Sequence, residues 1–208
     1  MISLLTPTRR GLSLLELMLA LSITAMVATA VSAMMSAVIT GVSTRRDSRS
    51  LMVRANAAQT RLAAYITPSR AVLDSDGSTL VLWLEDARDG GTVHATEVRW
   101  LKHDAIKGTI DVCFVDFPDS WKQTAKDLAD RQYSRDADWT AVLDSYNSNG
   151  WVSSLTLVDG LERLTVHIDA DQPLDARHVE YQLDFSTSSG SVATHVSATV
   201  GTHRPPVS

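Results

Sequence analysis

Near its N-terminus the chain has a long run of apolar positions that contains a single charged side chain. From Leu12 to Thr44 the only formal charge belongs to Glu16. At about 1.5 Å rise per residue, a helix of this length crosses a hydrocarbon core of roughly 30 Å. No proline lies between Leu12 and Pro68, so the pattern predicts one long helix that ends before Pro68.

Beyond Gly41 the periodicity of the predicted helix changes. Apolar residues recur at helical spacing on one face, and Arg54 and Arg61 flank that face. We therefore predict a membrane-spanning half over residues 12–42 and an amphipathic half over 43–67 that packs on a globular domain. The apolar stripe of the second half comprises Leu51, Ala55, Ala58, Leu62, Tyr65 and Ile66.

After Pro68 the pattern is typical of strands joined by turns. The last two predicted strands form the clearest hairpin, because apolar and polar residues alternate along the first of them. The predicted strands are 79–84, 92–101, 109–115, 151–158, 161–168, 177–186 and 191–200. The fold class predicted is α+β, with a long N-terminal helix packed on a mostly antiparallel sheet domain.

Residues 120–146 interrupt the rhythm of the strands. Apolar positions within 121–128 suggest a helical turn or two, and the polar stretch 146–150 suggests a loop. We predict that 120–146 is an insertion in a single globular domain over 68–201. The composition of 202–208 predicts a flexible tail.

Charge and cysteine content narrow the function classes. The formal net charge is -5, which gives no basic footprint and does not support direct contact with nucleic acid. Cys113 is the only cysteine, so an internal disulfide is excluded. Its apolar neighbours favour a small buried side chain over a reactive thiol.

The start of the chain resembles the precursors of type IV pilins and pseudopilins. In these, a short basic leader ends in glycine, and a hydrophobic residue, three further residues and a glutamate follow. Here Arg9, Arg10, Gly11, Leu12 and Glu16 match those positions. The resemblance implies a leader over 1–11, cleavage by a prepilin peptidase between Gly11 and Leu12, and methylation of the Leu12 amine. Phenylalanine is commoner than leucine at the first mature position.

Glu16 needs a partner on physical grounds. A carboxylate costs roughly 2.5 to 3.5 kcal/mol at the centre of a membrane helix, and less near the interface. No basic residue lies nearby on its own helix, so the sequence points to a cation from another chain. The resemblance implies that this cation is the N-terminal amine of a neighbouring subunit, which makes Glu16 the assembly residue.

Two other readings of the apolar run are a secretory signal peptide, cut near 28–30, and an ordinary signal anchor. An acid near the start of the run and a length well beyond about 15 residues disfavour the signal peptide. Charge does not orient the helix, because Arg9 and Arg10 precede it and four arginines follow it between residues 45 and 54. The resemblance implies a single-pass inner-membrane protein with its leader in the cytoplasm and its domain in the periplasm.

The order of elements, with the segment 157–169 and a closing hairpin, looks like the J-type minor pseudopilins of type II secretion. The expected partners are prepilin peptidase, other minor and major pseudopilins and the inner-membrane assembly platform. The main alternative is a minor pilin of a type IV pilus or DNA-uptake filament. An alternative from another class is a membrane-anchored periplasmic binding domain.

Motifs for catalysis or cofactor binding are absent from the sequence. None of the six histidines forms a zinc-binding pair, and there is no G-x-S-x-G elbow or phosphate-binding glycine pattern. We therefore predict a structural subunit that is not an enzyme and has no cofactor. The loops at 74–77 and 169–171 could each offer two carboxylates to calcium, and solvated turn acids are the simpler reading.

Overall fold

The computed structural model describes residues 13–85, 87–88, 91–187 and 190–207. The chain divides into two compact units, Met1–Arg46 and Asp47–Ser208. Helix α1, Leu14–Ile66, begins in the first unit and ends in the second, which confirms one long helix that stops before Pro68. In the described part of the chain, it is the one helix long and apolar enough to cross a membrane. Residues 13–42 are exposed throughout.

The remaining elements all lie in the second unit. Helices α2 and α3 span Gln123–Ala129 and Trp139–Ser148, and short 3-10 helices span Ala95–Glu97 and Pro173–Asp175. The strands are β1 Ala71–Ser75, β2 Thr79–Trp83, β3 Val93–His94, β4 Val98–Asp104, β5 Thr109–Val115, β6 Gln132–Tyr133, β7 Val152–Val158, β8 Leu161–Ile168, β9 His178–Thr187 and β10 Gly190–Thr199.

The described strands form three antiparallel sheets. A five-stranded sheet has the order β1-β2-β4-β5-β7, a three-stranded sheet has the order β10-β9-β8, and β3 pairs with β6. The α+β fold class is confirmed. Only two residues separate β7 from β8, but β8 pairs with β9 and not with β7. The two strands therefore belong to different sheets.

The second half of α1 buries its apolar stripe in the larger core. Leu51, Leu62 and Ile66 are at most 2% exposed, and they share a cluster with side chains from both larger sheets. In β9 the alternating residues Val179, Tyr181, Leu183 and Phe185 are buried, as the pattern predicts. Burial of these apolar side chains holds the second half of α1 on the two sheets through the hydrophobic effect.

A second core lies on the other face of the five-stranded sheet. There Trp83 and Trp100 pack in one cluster with Trp139, Leu143 and Tyr146 of α3. The expectation of a polar loop from residue 146 is therefore wrong, because α3 continues to Ser148 and Tyr146 is buried. Asp138 caps this helix by accepting hydrogen bonds from the N–H groups of Thr140 and Ala141 at 3.1 and 2.9 Å.

The C-terminal residues lie along the domain. Backbone N–H groups of Gly201, Arg204 and Val207 donate to the carbonyl oxygens of Thr67, Arg70 and Gly91 at 2.9, 2.8 and 2.7 Å. Pro206 is buried. Arg204 and Val207 thus bond to distant residues within the segment 202–208, and the flexibility predicted for that segment stays a prediction.

Candidate functional site

The start of α1 is built around the pair Ser13 and Glu16. The N–H of Glu16 donates to Ser13 Oγ at 3.2 Å. In return, the N–H and the hydroxyl of Ser13 donate to Glu16 Oε2 at 3.2 and 3.3 Å. The first helical hydrogen bond follows, from the N–H of Leu17 to the carbonyl of Ser13 at 3.1 Å. This reciprocal arrangement is a capping box, which satisfies N–H groups that a helix leaves unpaired at its start.

The capping box gives Glu16 a partner that sequence reasoning missed. The signal was present as Ser13-Leu-Leu-Glu16, the S-x-x-E pattern that opens many helices. A negative side chain in the first turn is also favoured by the helix macrodipole. Within the described residues, Glu16 Oε1 accepts no hydrogen bond. One carboxylate oxygen therefore serves its own helix.

Hydroxyl groups along the apolar half of α1 bond to their own helix. Ser22, Thr24 and Thr29 donate to backbone carbonyls three or four residues earlier, at 2.9, 2.7 and 2.8 Å. These bonds satisfy the hydroxyls without water, which suits a segment surrounded by lipid or by other helices.

The predicted cleavage residues lie outside the described part of the chain. This applies to Arg9, Arg10, Gly11 and Leu12, whose assignments stay predictions. Of the sequence-predicted site residues, the structure places Glu16 alone.

The acidic loops considered for calcium hold turns together. Asp76 Oδ1 accepts from the N–H and the hydroxyl of Ser78, both at 2.9 Å. Burial raises the pKa of Asp76, but hydrogen bonds from Ser78 and Thr79 outweigh it and leave this pKa below its usual value. Among the described residues, no group of three or more His, Cys, Asp or Glu side chains is arranged to hold a metal ion. Calcium binding stays a prediction.

Asp169, in the second acidic loop at 169–171, also accepts hydrogen bonds from backbone N–H groups. Its Oδ1 accepts from the N–H groups of His178 and Arg177 at 2.9 and 2.8 Å. The bond from His178, helped by that from Arg177, lowers the pKa of Asp169. This carboxylate ties the end of β8 to the start of β9.

Two buried acids were not foreseen from the sequence. Glu97 is 2% exposed and accepts from Trp83 Nε1 at 3.0 Å and from the N–H groups of Ala87 and His94 at 2.8 and 3.1 Å. Asp130 accepts from Thr96 Oγ1 at 2.7 Å and from Arg88 Nη2 at 3.1 Å. Because they are paired with donors, both carboxylates stabilise the connection between β2 and β3.

Cys113 is half-buried against the second core. Burial raises the pKa of the Cys113 thiol above its usual value. A raised pKa lowers the thiolate fraction at neutral pH, which favours a packing side chain over a nucleophile.

Comparison with known proteins supports the N-terminal site. Residues 7–32 match the family described as the prokaryotic N-terminal methylation motif. No curated protein and no solved structure matches the chain. The motif covers the end of the predicted leader and the first turns of α1, including the capping box. The chain therefore carries a type IV pilin-like signal of the kind that prepilin peptidase processes.

Proposed function

We propose that this chain is a minor pseudopilin-like structural subunit of type II secretion, most like the J-type. Prepilin peptidase cuts between Gly11 and Leu12 and methylates the Leu12 amine. The mature subunit then joins a short periplasmic pseudopilus together with other minor and major pseudopilins. The observation that carries this proposal is the methylation motif at the start of a capped, apolar helix that leads into a folded domain.

Glu16 supports an assembly mechanism in which one carboxylate meets two partners. Oε2 stays with Ser13 and keeps the helix start formed. Oε1 then accepts from the methylated N-terminal amine of the adjacent subunit. A buried charge pair of this kind adds little net stability, because desolvation offsets the attraction, but it can fix the axial register between helices.

The apolar half of α1 would move from the bilayer into a bundle of similar helices. Its exposed apolar side chains suit both surroundings, and its hydroxyls are already bonded within the helix. In this arrangement the leader faces the cytoplasm, the apolar half spans the inner membrane, and the sheet domain lies in the periplasm. The inner-membrane assembly platform is the expected partner for extraction of the subunit.

The first test is intact-mass and N-terminal analysis of the full chain, made in a host with and without prepilin peptidase. We expect a chain that begins at methylated Leu12 only when the peptidase is present. Cleavage near residue 30, or the same mass in both hosts, would return the chain to the secreted or simply anchored class.

A minor pilin of a type IV pilus or DNA-uptake filament is the second candidate, since the same motif opens those subunits. Deletion of the chain in its own host separates the two. Loss of protein secretion with surface pili intact supports the pseudopilin, whereas loss of pili or of DNA uptake supports the pilin.

A further inference from the structure

The outer strand of the five-stranded sheet borders an open groove. Strand β7 is the last strand of this sheet, and the end of α1 runs beside it. The groove has a volume of about 360 Å³. It is lined by Arg61, Ala64, Tyr65, Leu155, Thr156 and Leu157.

The free edge of β7 is protected near its C-terminal end, where Arg61 Nη1 donates to the backbone oxygen of Leu157 and the pairing with β5 shifts register at Ile110/Asp111. Among the described strands, only β5 pairs with it. Residues 152–156 carry no charge and no proline, and Leu155 is 56% exposed in the groove wall. At the opposite edge of the sheet, by contrast, the backbone oxygen of Arg70, the residue before β1, accepts from the backbone N–H of Arg204 in the C-terminal tail. Unpaired, uncharged edges are templates for an added strand.

Arg61 defines the chemistry of the groove. Its Nη1 donates to the backbone oxygen of Leu157 at 2.8 Å, so the groove side of β7 already binds a hydrogen-bond donor from outside the sheet. Among the described residues that line the groove, Arg61 is the one with a charged side chain. The groove thus combines an edge strand that is uncharged over residues 152–156, an apolar wall and one cation that bonds to Leu157.

We infer that the edge of β7 accepts an extended, acidic segment of a neighbouring pilin-like subunit, which adds a sixth strand to the sheet. This inference rests on the proposed function, since it needs assembly with other subunits. The added strand would lie about 4.8 Å from β7, and its alternate side chains would fill the groove beside Tyr65 and Leu155. A carboxylate on that segment would meet Arg61.

Two copies of β7 do not pair with each other at this edge. Antiparallel pairing of two β7 strands needs a twofold axis normal to the sheet. That axis would reverse the direction of the helix lying on the sheet in the second copy. Subunits inserted in one membrane by their N-terminal helices run in the same direction, so the added strand is not a second β7.

The test places a photo-crosslinking amino acid at Ser154 in the full chain, expressed in its own host during filament assembly. A second probe at Leu21, in the apolar half of α1, reports assembly itself. We expect the Ser154 probe to label one non-helical segment of another subunit, with Asp or Glu among its residues. Leu155→Lys, which places a charge on the edge, and Arg61→Glu should each lower this crosslink about tenfold.

Leu128→Lys is the matched control, because Leu128 is an equally apolar side chain, 84% exposed on α2, and outside the groove. It should leave the Ser154 crosslink unchanged. Crosslinks from Ser154 to a neighbour's α1, to lipid or to β7 of a second copy overturn the inference, as does a crosslink that Leu155→Lys does not change. If the Leu21 probe forms a crosslink and the Ser154 probe does not, the inference about β7 is wrong and the proposed function stands. Loss of both overturns the proposed function and the inference with it.

Discussion

The carboxylate of Glu16 has two oxygens in different surroundings. Oε2 accepts both hydrogen bonds from Ser13, whereas Oε1 accepts none from the residues that the structure describes. Helix capping and the proposed charge pairing would therefore use different oxygens of one side chain. Glutamine can also complete a capping box, but it carries no charge.

That separation predicts different results for two substitutions of Glu16. Glu16→Gln should keep the helix start formed and lose the charge pair, so incorporation into filaments falls about tenfold while exchange of the Leu17 amide stays slow. Glu16→Ala should lower incorporation and speed that exchange. The measurements are crosslinked filament yield and amide hydrogen exchange of the full chain in detergent. Normal incorporation of Glu16→Gln would show that assembly needs the cap and not the charge.

Tyr181 and Tyr146 provide a second contrast at the level of single atoms. The hydroxyl of Tyr181 is buried with no hydrogen-bond partner among the described residues, and burial raises its pKa. The hydroxyl of Tyr146 donates to the carbonyl of Ala129 at 2.9 Å and accepts from the N–H of Arg131 at 3.1 Å. A buried hydroxyl without a hydrogen-bond partner destabilises the folded state, whereas one with partners stabilises it.

We expect Tyr181→Phe to stabilise the domain by about 1 kcal/mol and Tyr146→Phe to destabilise it by a similar amount. Denaturant unfolding of both variants, compared with the unchanged chain, measures the two differences. Equal effects of the same sign would contradict the assignment of these hydroxyls.

Helix α3 shows what decides stability at the scale of an element. Its buried residues Trp139, Val142, Leu143 and Tyr146 follow the spacing i, i+3, i+4, i+7 and cover the second face of the five-stranded sheet. Asp138 supplies the cap at its N-terminus. The last part of the segment 120–146 thus packs on the sheet as a structural layer, and the assignment of 120–146 as an insertion stays a prediction.

We predict that Asp138→Ala lowers the free energy of unfolding by about 1 kcal/mol, because two N–H groups lose their acceptor. Asp136→Ala is the control. Its carboxylate is 78% exposed and lies 3.6 Å from Arg135, so its loss should change stability by less than about 0.5 kcal/mol. Thermal unfolding of the two variants separates capping from a general effect of removing a negative charge.

The C-terminal tail yields a prediction from backbone bonding. The amides of Arg204 and Val207 donate to distant carbonyls, whereas that of Thr202 has no hydrogen bond within the described structure. Amide exchange should therefore be slower at Arg204 and Val207 than at Thr202. Uniformly fast exchange across 201–207 would instead support the flexible tail that composition suggests.

At the scale of the whole molecule, strong periodicity was readable from the sequence and long-range pairing was not. The helix up to Ile66 and the alternation in β9 follow from local spacing. Helix α3 has the spacing of a buried helix, but Asp144 and Ser145 lie between its apolar positions, and Asn147 and Ser148 after Tyr146 are typical of a loop. The hydrogen bonds that Glu97 accepts come from Trp83 and Ala87, and only the folded chain brings these donors to it. The capping box at Glu16 can be predicted from the sequence, because Ser13 and Glu16 stand at the S-x-x-E spacing.

The two units make separate contributions to the molecule. All members of both buried clusters lie between residues 51 and 200, so the cores belong to the unit Asp47–Ser208. The apolar half of α1 is exposed within the chain and adds no residue to either core, which agrees with the proposed function in anchoring and assembly.

This division predicts that residues 47–208 fold without the apolar half. Because the truncated chain keeps every buried core residue, its unfolding temperature should lie within about 3 °C of that of the full chain in detergent, a difference worth less than about 1 kcal/mol. Circular dichroism melting of both forms measures the difference. Truncation at residue 60 is the control, since it removes Leu51, Ala55 and Ala58 from the core and should lower the unfolding temperature well beyond that range. If the 47–208 form melts as low as this control, the apolar half would be part of the folded domain, and the assignment of anchoring and stability to separate units would fail.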